Sequence, residues 1–340
     1  MDRSVGRRSP GNTLERHRVS SRPWLSVIVP VYNGVRYLAA AIESVLSQSD
    51  DSVEVVVSDD GSDDGSAAII EACTRDRRVV AVAGPARSNW VANTNRAVRQ
   101  SSGQLVTFLH QDDLWLPGRF ESLRAAVGRA PDCTLWLAPT RFMDSQGRLV
   151  GSWHLPFGRG TRTLTSNEVI EHLLVQNFVG MPTPVFPRTA FDSAGQMDER
   201  LWYTADWDLW IKLAHAGDVG ISPNATTAFR LHALSQTMQG ARREHAMKAQ
   251  VDTVRERHLP LVRDPRRRDE IRRAGEFSSE LNAFASAVVA GQSWPWRTTT
   301  KSMLRAGFGG LRRFARDARF FERSWSRIRV GLLARAGTER

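Results

Sequence analysis

Cysteine is nearly missing from this chain. Cys73 and Cys133 are the only two in 340 residues, and no CxxC occurs. So few thiols exclude a disulfide framework, suit a reducing compartment, and cannot make a zinc site without other ligands. Long apolar runs are also lacking. No stretch approaches the roughly 18–20 apolar residues that a membrane span needs, and residues 1–23 are polar and rich in Arg and Ser, with no apolar segment of the secretory kind. The first strand is not followed by G-x-G-x-x-G; the residues there are Pro30-Val31-Tyr32-Asn33-Gly34. That argues against a dinucleotide-dependent oxidoreductase. There is no internal repeat, no low-complexity tract, and no apparent Ser/His/Asp or Cys/His nucleophile set.

Charge is abundant but unevenly placed. The formal net charge is +11, of which residues 1–23 carry +4 and residues 297–340 carry +9, so the body between them, 24–296, comes to −2. A basic chain invites a nucleic-acid reading. With a near-neutral body and no recognisable reading module, the expectation is no nucleic-acid partner, although salt-dependent affinity for DNA or RNA would revive that rival.

What is present is a core-forming body, 41% apolar, in which short β-rich runs alternate with helical stretches. This is the mark of an α/β domain with a mainly parallel sheet. The expected strands are Leu25–Val31, Val53–Val57, Val79–Ala83 and Leu105–Leu109. A helix is expected after Gly34, another at Ala67–Cys73, and a third at Trp90–Arg99 capped by Ser88-Asn89; Pro117 is expected to open a fourth. Farther on, Thr134–Phe142 and Met181–Pro187 read as strands, a helix starts near Ser166 or Asn167, and Trp207–Leu213 lie on a helix ending at Gly217. Beyond Ala241 the chain becomes helical and Arg-rich, with a break at Trp294-Pro295-Trp296.

Four segments carry chemistry. Asp59-Asp60 end the second strand, where ligands of open α/β sheets bind, and a carboxylate there can accept from a base N–H or a ribose hydroxyl. Asp63 and Asp64, just after, fit helix capping better. His110-Gln111-Asp112-Asp113 end the fourth strand. Adjacent carboxylates without a nearby Lys or Arg suit Mg²⁺ or Mn²⁺, which prefer carboxylates plus substrate phosphates, as readily as they suit an exposed acidic loop. Asp206 and Asp208 open a helix between tryptophans, where partial desolvation raises the basicity of a carboxylate; a favourable place in the helix dipole explains Asp208 better than Asp206. Phe229-Arg230-Leu231-His232 adds a histidine that only its company makes notable.

In order and spacing these segments resemble glycosyltransferase family 2. The quoted stretches are SVIVPVYNG at 26–34, EVVVSDDGSDDGS at 54–66, FLHQDDLWLPGRFE at 108–121, PTPVFPRTAFDSAGQMDERLWYTADWDLWIKLAHAG at 182–217 and FRLH at 229–232. The resemblance covers about 24–236. It implies a GT-A-type nucleotide-binding α/β fold with a mixed, mainly parallel sheet, followed by a helical C-terminal extension. It further implies transfer of a sugar, with inversion, from a nucleotide diphosphate sugar to a hydroxyl of a glycan or lipid-linked acceptor in bacterial polysaccharide assembly. Carried over by position, Asp59 and Asp60 hold base and ribose with Pro30 and Tyr32 lining the pocket. Asp112 binds Mn²⁺ or Mg²⁺ with Asp113 beside it, His232 approaches the metal or diphosphate, and Asp206 is the catalytic base. Three positions depart from the family pattern: His110 replaces the first aspartate of D-x-D-D, leaving it a donor-binding residue; Ala205 replaces a frequent Glu before the base; and Asn89-Trp90-Val91 replaces Asn-x-Gly. A catalytically impaired sugar-nucleotide binder of the same fold is the alternative that His110 raises.

The expected organisation is a flexible basic arm at 1–23, a glycosyltransferase domain at 24–236 with a nucleotide-binding half (24–116) and an acceptor half (117–236), a helical extension at 237–296, and a basic amphipathic tail at 297–340. In the tail, Leu304, Phe308, Leu311, Ala315 and Ala318 fall three or four apart, and a helix is expected from about Leu311 to Leu333. Such a helix suits an anionic membrane surface or packs on protein, in equal measure. The protein is therefore expected in the cytoplasm, with the tail raising a peripheral place on the inner face of the plasma membrane.

Overall fold

Leu25–Val31 forms strand β1, with all seven residues buried, as an apolar run covered on both faces requires. The computed structural model describes residues 22–84, 87–232, 244–289 and 296–318, together with Glu322. The rest of the basic arm, the domain limit at 236, the break near Trp294 and the tail beyond 318, Glu322 aside, lie outside the described residues.

Around β1 the expected alternation holds. Helix α1 (Leu38–Leu46), strand β2 (Val53–Asp59), helix α2 (Ser66–Cys73), strand β3 (Val79–Val82), helix α3 (Trp90–Gln100) and strand β4 (Leu105–Phe108) follow in turn. β2 and β4 flank β1 in parallel, and β3 continues parallel beyond β2. The Asn89 side chain accepts from the Ala92 N–H at 2.9 Å and so caps α3 as expected.

The second half departs more from the sequence-based expectation. Leu114–Trp115 forms a two-residue strand, β5, and α4 spans Arg119–Arg129. Pro117 therefore precedes this helix rather than opening it, and Gly118, with φ of 81°, supplies the left-handed turn at its N-cap. The single strand expected over Thr134–Phe142 is two, β6 (Leu135–Leu137) and β7 (Thr140–Met143), and they belong to different sheets. Pro139 lies at the break, where its missing N–H ends a ladder. After β8 (Leu149–Trp153) and β9 (Arg162–Leu164) comes α5 (Ser166–Val175), whose capping box joins Thr165 and Glu168. β10 (Val185–Pro187) is shorter than expected; α6 (Arg188–Ser193), α7 (Ala205–Ala216), β11 (Val219–Ile221) and β12 (Thr227–Arg230) complete the α/β body.

Two sheets result among the described residues. The larger has the order β3-β2-β1-β4-β10-β6-β11-β9, and the smaller β5-β12-β7-β8. β10 enters antiparallel between β4 and β6, while β6 and β11 pair in parallel, so the sheet is mixed and mainly parallel. Its core includes an aromatic knot: Phe108, Phe186, Phe191 and Trp210, all fully buried, with the Phe108 and Phe186 rings 5.3 Å apart edge to face. Each such pair adds about 0.5–1.5 kcal/mol beyond the area it buries.

Helices α8 (Glu244–His258), α9 (Pro265–Val289) and α10 (Trp296–Asp317) form the C-terminal extension. Asp208, fully buried in α7, pins α8 to the body: Arg257 Nη1 and His258 Nε2 each lie 2.8 Å from its Oδ1. The tail helix begins at Trp296, fifteen residues before the expected Leu311, and is kinked at Gly307. It packs on α9 through the small residues Ala306 and Gly310, and Phe314 meets Phe277 edge to face at 4.8 Å. Arg313, one of the arginines of this basic tail, is buried and pairs with Glu171 of α5 at 3.2 Å. No described helix is long and apolar enough to cross a membrane.

Candidate active site

The parallel strands β1, β2 and β4 end at one edge of the sheet, where open α/β folds place their ligands. β1 delivers buried Pro30 and half-exposed Tyr32, β2 delivers Asp59 and Asp60, and β4 delivers His110 to Asp113. Gln111 ties two of these ends together. Its Oε1 accepts the Tyr32 N–H at 2.8 Å and its Nε2 donates to the Tyr32 carbonyl at 3.0 Å. Gly34 permits this bracket, since a Cβ there would stand 2.5 Å from Gln111 Oε1.

The two aspartates after β2 differ. Asp59 is half-buried and accepts from Ser62 Oγ at 2.5 Å. Asp60 is buried and engaged by the loop before α3: Ser88 donates to it from N–H at 2.9 Å and from Oγ at 2.6 Å, and Arg96 stands 3.6 Å away. Asp63 and Asp64 do not occupy the N-cap of α2, which is Gly65. Asp64 accepts instead from Ser66 N–H at 3.0 Å and Val35 N–H at 2.9 Å, which closes the Asp63–Ser66 turn against the loop between β1 and α1.

At the end of β4, one ring nitrogen of His110 and one oxygen each of Asp112 and Asp113 lie within 4.8 Å of one another. Asp113 is 1% exposed; its Oδ1 accepts the Arg230 N–H at 2.9 Å, whereas its Oδ2 has no hydrogen-bond partner, and nor does buried His110 Nε2. A buried carboxylate oxygen and a buried ring nitrogen, both without partners in one cluster, need an explanation, and a divalent cation would supply one: the carboxylate oxygens suit Mn²⁺ or Mg²⁺. Burial, and then the neighbouring Asp112 charge, push the Asp113 carboxyl well above its ordinary range. Burial would also raise Asp112, but the hydrogen bond with His232 and the two histidine charges outweigh it and hold that carboxyl low. Burial pushes the His110 imidazole down, against an opposing pull from Asp112. His232 Nε2 stands 2.8 Å from Asp112 Oδ2.

Arg230 was not given a role by the sequence, although it lies inside the FRLH segment. It is 4% exposed and donates to the carbonyls of Asp112 at 2.7 Å and Asp144 at 3.0 Å, with its guanidinium 4.3 Å from the Tyr37 ring centre. It holds the acidic loop against the smaller sheet. Trp90 is a second such residue: its ring meets His110 edge-on at 5.6 Å and its N–H donates to the Trp202 carbonyl at 2.7 Å. The β4 end is thereby linked to the loop that leads into α7.

Asp206 and Asp208 at the start of α7 have contrasting surroundings. Asp206 is half-buried, and Asn177 Nδ2 donates to its Oδ2 at 3.1 Å. Asp208 is fully buried among Lys212, Arg257 and His258. Desolvation would raise the Asp208 carboxyl, but His258 and Lys212 outweigh it and depress it, so it is a poor base.

Comparison with known proteins bears on the family and the fold. Residues 26–178 match the model of the family described as "Glycosyl transferase family 2". An uncharacterized protein of Mycobacterium tuberculosis is 27% identical over 229 residues, covering 64% of this chain and 70% of the relative. An uncharacterized glycosyltransferase of Rickettsia bellii is 26% identical over 201 residues, which span 58% of this chain but only 28% of that relative. Among solved structures, S. aureus TarS 1-349 in complex with UDP-GlcNAc superposes with a TM-score of 0.58 at 16% identity, covering 92% of each chain. The mannosyltransferase PcManGT from Pyrobaculum calidifontis, in complex with GDP-Man and Mn²⁺, gives 0.52 at 17% identity, covering 92% of this chain and 88% of its own. Likeness at such identities is one of fold. Taken with the family match, it leads to one assignment: residues 26–178 carry a glycosyltransferase family 2 domain, and the protein is a glycosyltransferase with a GT-A-type fold.

Proposed function

We propose that this glycosyltransferase transfers a sugar, with inversion, from a nucleotide diphosphate sugar to an acceptor hydroxyl, assisted by Mn²⁺ or Mg²⁺. The observation that carries it is the cluster at the end of β4, where Asp113 Oδ2 and His110 Nε2 are buried without partners beside Asp112. Asp112 and Asp113, with His110 and His232 at hand, would hold the cation, which supplies positive charge against a departing diphosphate. Asp59 and Asp60 lie on the same sheet edge as readers of the nucleoside, with Tyr32 and Pro30 at its wall. Asp206 takes the proton from the acceptor hydroxyl as the oxygen attacks the anomeric carbon, and Asn177 orients the carboxylate for that transfer. Attack and departure on opposite faces of the sugar invert the anomeric centre without a covalent enzyme intermediate.

The solved neighbours bind UDP-GlcNAc, or GDP-Man with Mn²⁺, which sets the donors to try first. For the acceptor we infer a hydroxyl of a glycan or lipid-linked glycan in bacterial polysaccharide assembly, a class that rests on the family alone. The test is a screen of UDP-, GDP- and dTDP-sugars with Mn²⁺ or Mg²⁺, read as donor hydrolysis and thermal stabilisation. At least one donor should be both bound and turned over in a metal-dependent way. Binding without turnover would favour an impaired sugar-nucleotide binder, and no binding at all would end the proposal.

A further inference from the structure

Helix α10 packs one face on the protein and leaves the other uncovered. Ala306, Gly310, Arg313 and Asp317 are its buried residues, set against α9 and α5. On the uncovered side, Phe308 is 85% exposed, Leu304 72%, Trp296 61% and Met303 43%. The first three exceed every other large hydrophobic side chain among the described residues. Single apolar residues on a surface are ordinary; four on thirteen consecutive positions are a patch.

The charge around this patch is of one sign. From Trp296 to Arg316 there is no Asp or Glu. Arg297, Lys301, Arg305 and Arg312 are all exposed, and none pairs with a carboxylate among the described residues. Gly307, with φ of 59°, lies in the left-handed region and kinks the helix between Leu304 and Phe308. The two half-helices can thus settle separately on one plane.

From this we infer that the outer face of α10 docks on an anionic membrane surface. A second copy of the chain is the poorer occupant, because the same cations would oppose one another across a two-fold interface. Aliphatic and aromatic side chains set among unpaired Arg and Lys match the boundary between headgroups and acyl chains, where apolar groups sink and cations pair with lipid phosphates. The contact does not depend on the chemistry proposed for the sheet edge, and it would hold the enzyme close to a lipid-linked acceptor.

The experiment uses the full-length chain, co-sedimented with phosphatidylcholine vesicles made with and without phosphatidylglycerol. Two variants are compared with the wild type: Leu304→Ser with Phe308→Ser, and Arg297→Gln with Lys301→Gln and Arg305→Gln. None of these side chains is buried, so melting temperatures should stay at the wild-type value and exclude misfolding. The wild type should bind the anionic vesicles and leave the neutral ones. Removing three cations should weaken partitioning by roughly two orders of magnitude, each counting for about a factor of five near the surface, and the apolar variant should also detach. Failure of the wild type to bind, or undiminished binding by the apolar variant, overturns the inference. So does a fall in oligomer mass by sedimentation equilibrium in that variant, which would assign the face to a second copy.

Discussion

Asp208 Oδ1 and His258 Nε2 stand 2.8 Å apart although fifty positions separate them in the chain, and this contact binds the C-terminal helices to the catalytic body. With Arg257 on the same oxygen and Lys212 at 2.9 Å from the other, Asp208 meets two cationic side chains and an imidazole inside the protein. Asp208→Asn should cost about 3–5 kcal/mol of stability, the usual penalty for removing one partner of a buried ion pair. Denaturant unfolding measures it; a loss within about 0.5 kcal/mol, the range of a surface substitution, would show the contact to be incidental.

The same cluster sets an acid limit. The Asp208 carboxyl is depressed, and Asp198 is held at about 2, chiefly by its side-chain hydrogen bond with Arg200. A carboxylate whose folded value lies below its unfolded one stabilises the protein above the unfolded value, and that stability is lost as pH falls through the folded value. The wild type should therefore lose stability from about pH 4 downwards, and Asp208→Asn should lose less over that window. Parallel curves for the two would contradict the assignment.

Asp206→Asn should lower transfer by roughly 10²–10⁴-fold, the range for removing a general base, with donor affinity and melting temperature unchanged. Asn177→Ala should have a smaller effect, concentrated in kcat. A variant Asp206→Asn that retains most of its activity would place the base elsewhere.

Gly34→Ala and Gln111→Ala should weaken nucleotide binding to a similar degree, because each breaks the bracket between Gln111 and Tyr32. Combined, they should cost little more than either alone, as expected for residues acting through one contact. Additive losses would separate the two positions.

The first half of this fold was legible because its strands are long, apolar and bounded by turn residues. Leu25–Val31 is a strand over the span its apolar run indicates, and Asn89 caps the helix it precedes. Strands β9, β11 and β12 have three or four residues each, too few for periodicity to register, and Pro139 divides what reads as one apolar run. The acidic strand ends could be placed from the sequence because their chemistry is local to the turn. Arg230 could not, since the hydrogen bonds of its side chain go to backbone carbonyls 85 to 118 residues away, which no residue pattern encodes. Asp208 and Asp206 look alike in sequence, and only the arrival of α8 shows Asp208 to be a buried structural ion.

The most direct measurement is the thermal shift produced by a nucleoside diphosphate and Mn²⁺, alone and together, in the wild type and Asp112→Ala. UDP and GDP are the ligands to use. In the wild type the pair should stabilise more than either component, by about 2.7 kcal/mol at a hundredfold excess over the dissociation constant. In Asp112→Ala the metal-dependent part should vanish. An equal metal-dependent shift in the variant would contradict the assignment of the cation to the end of β4.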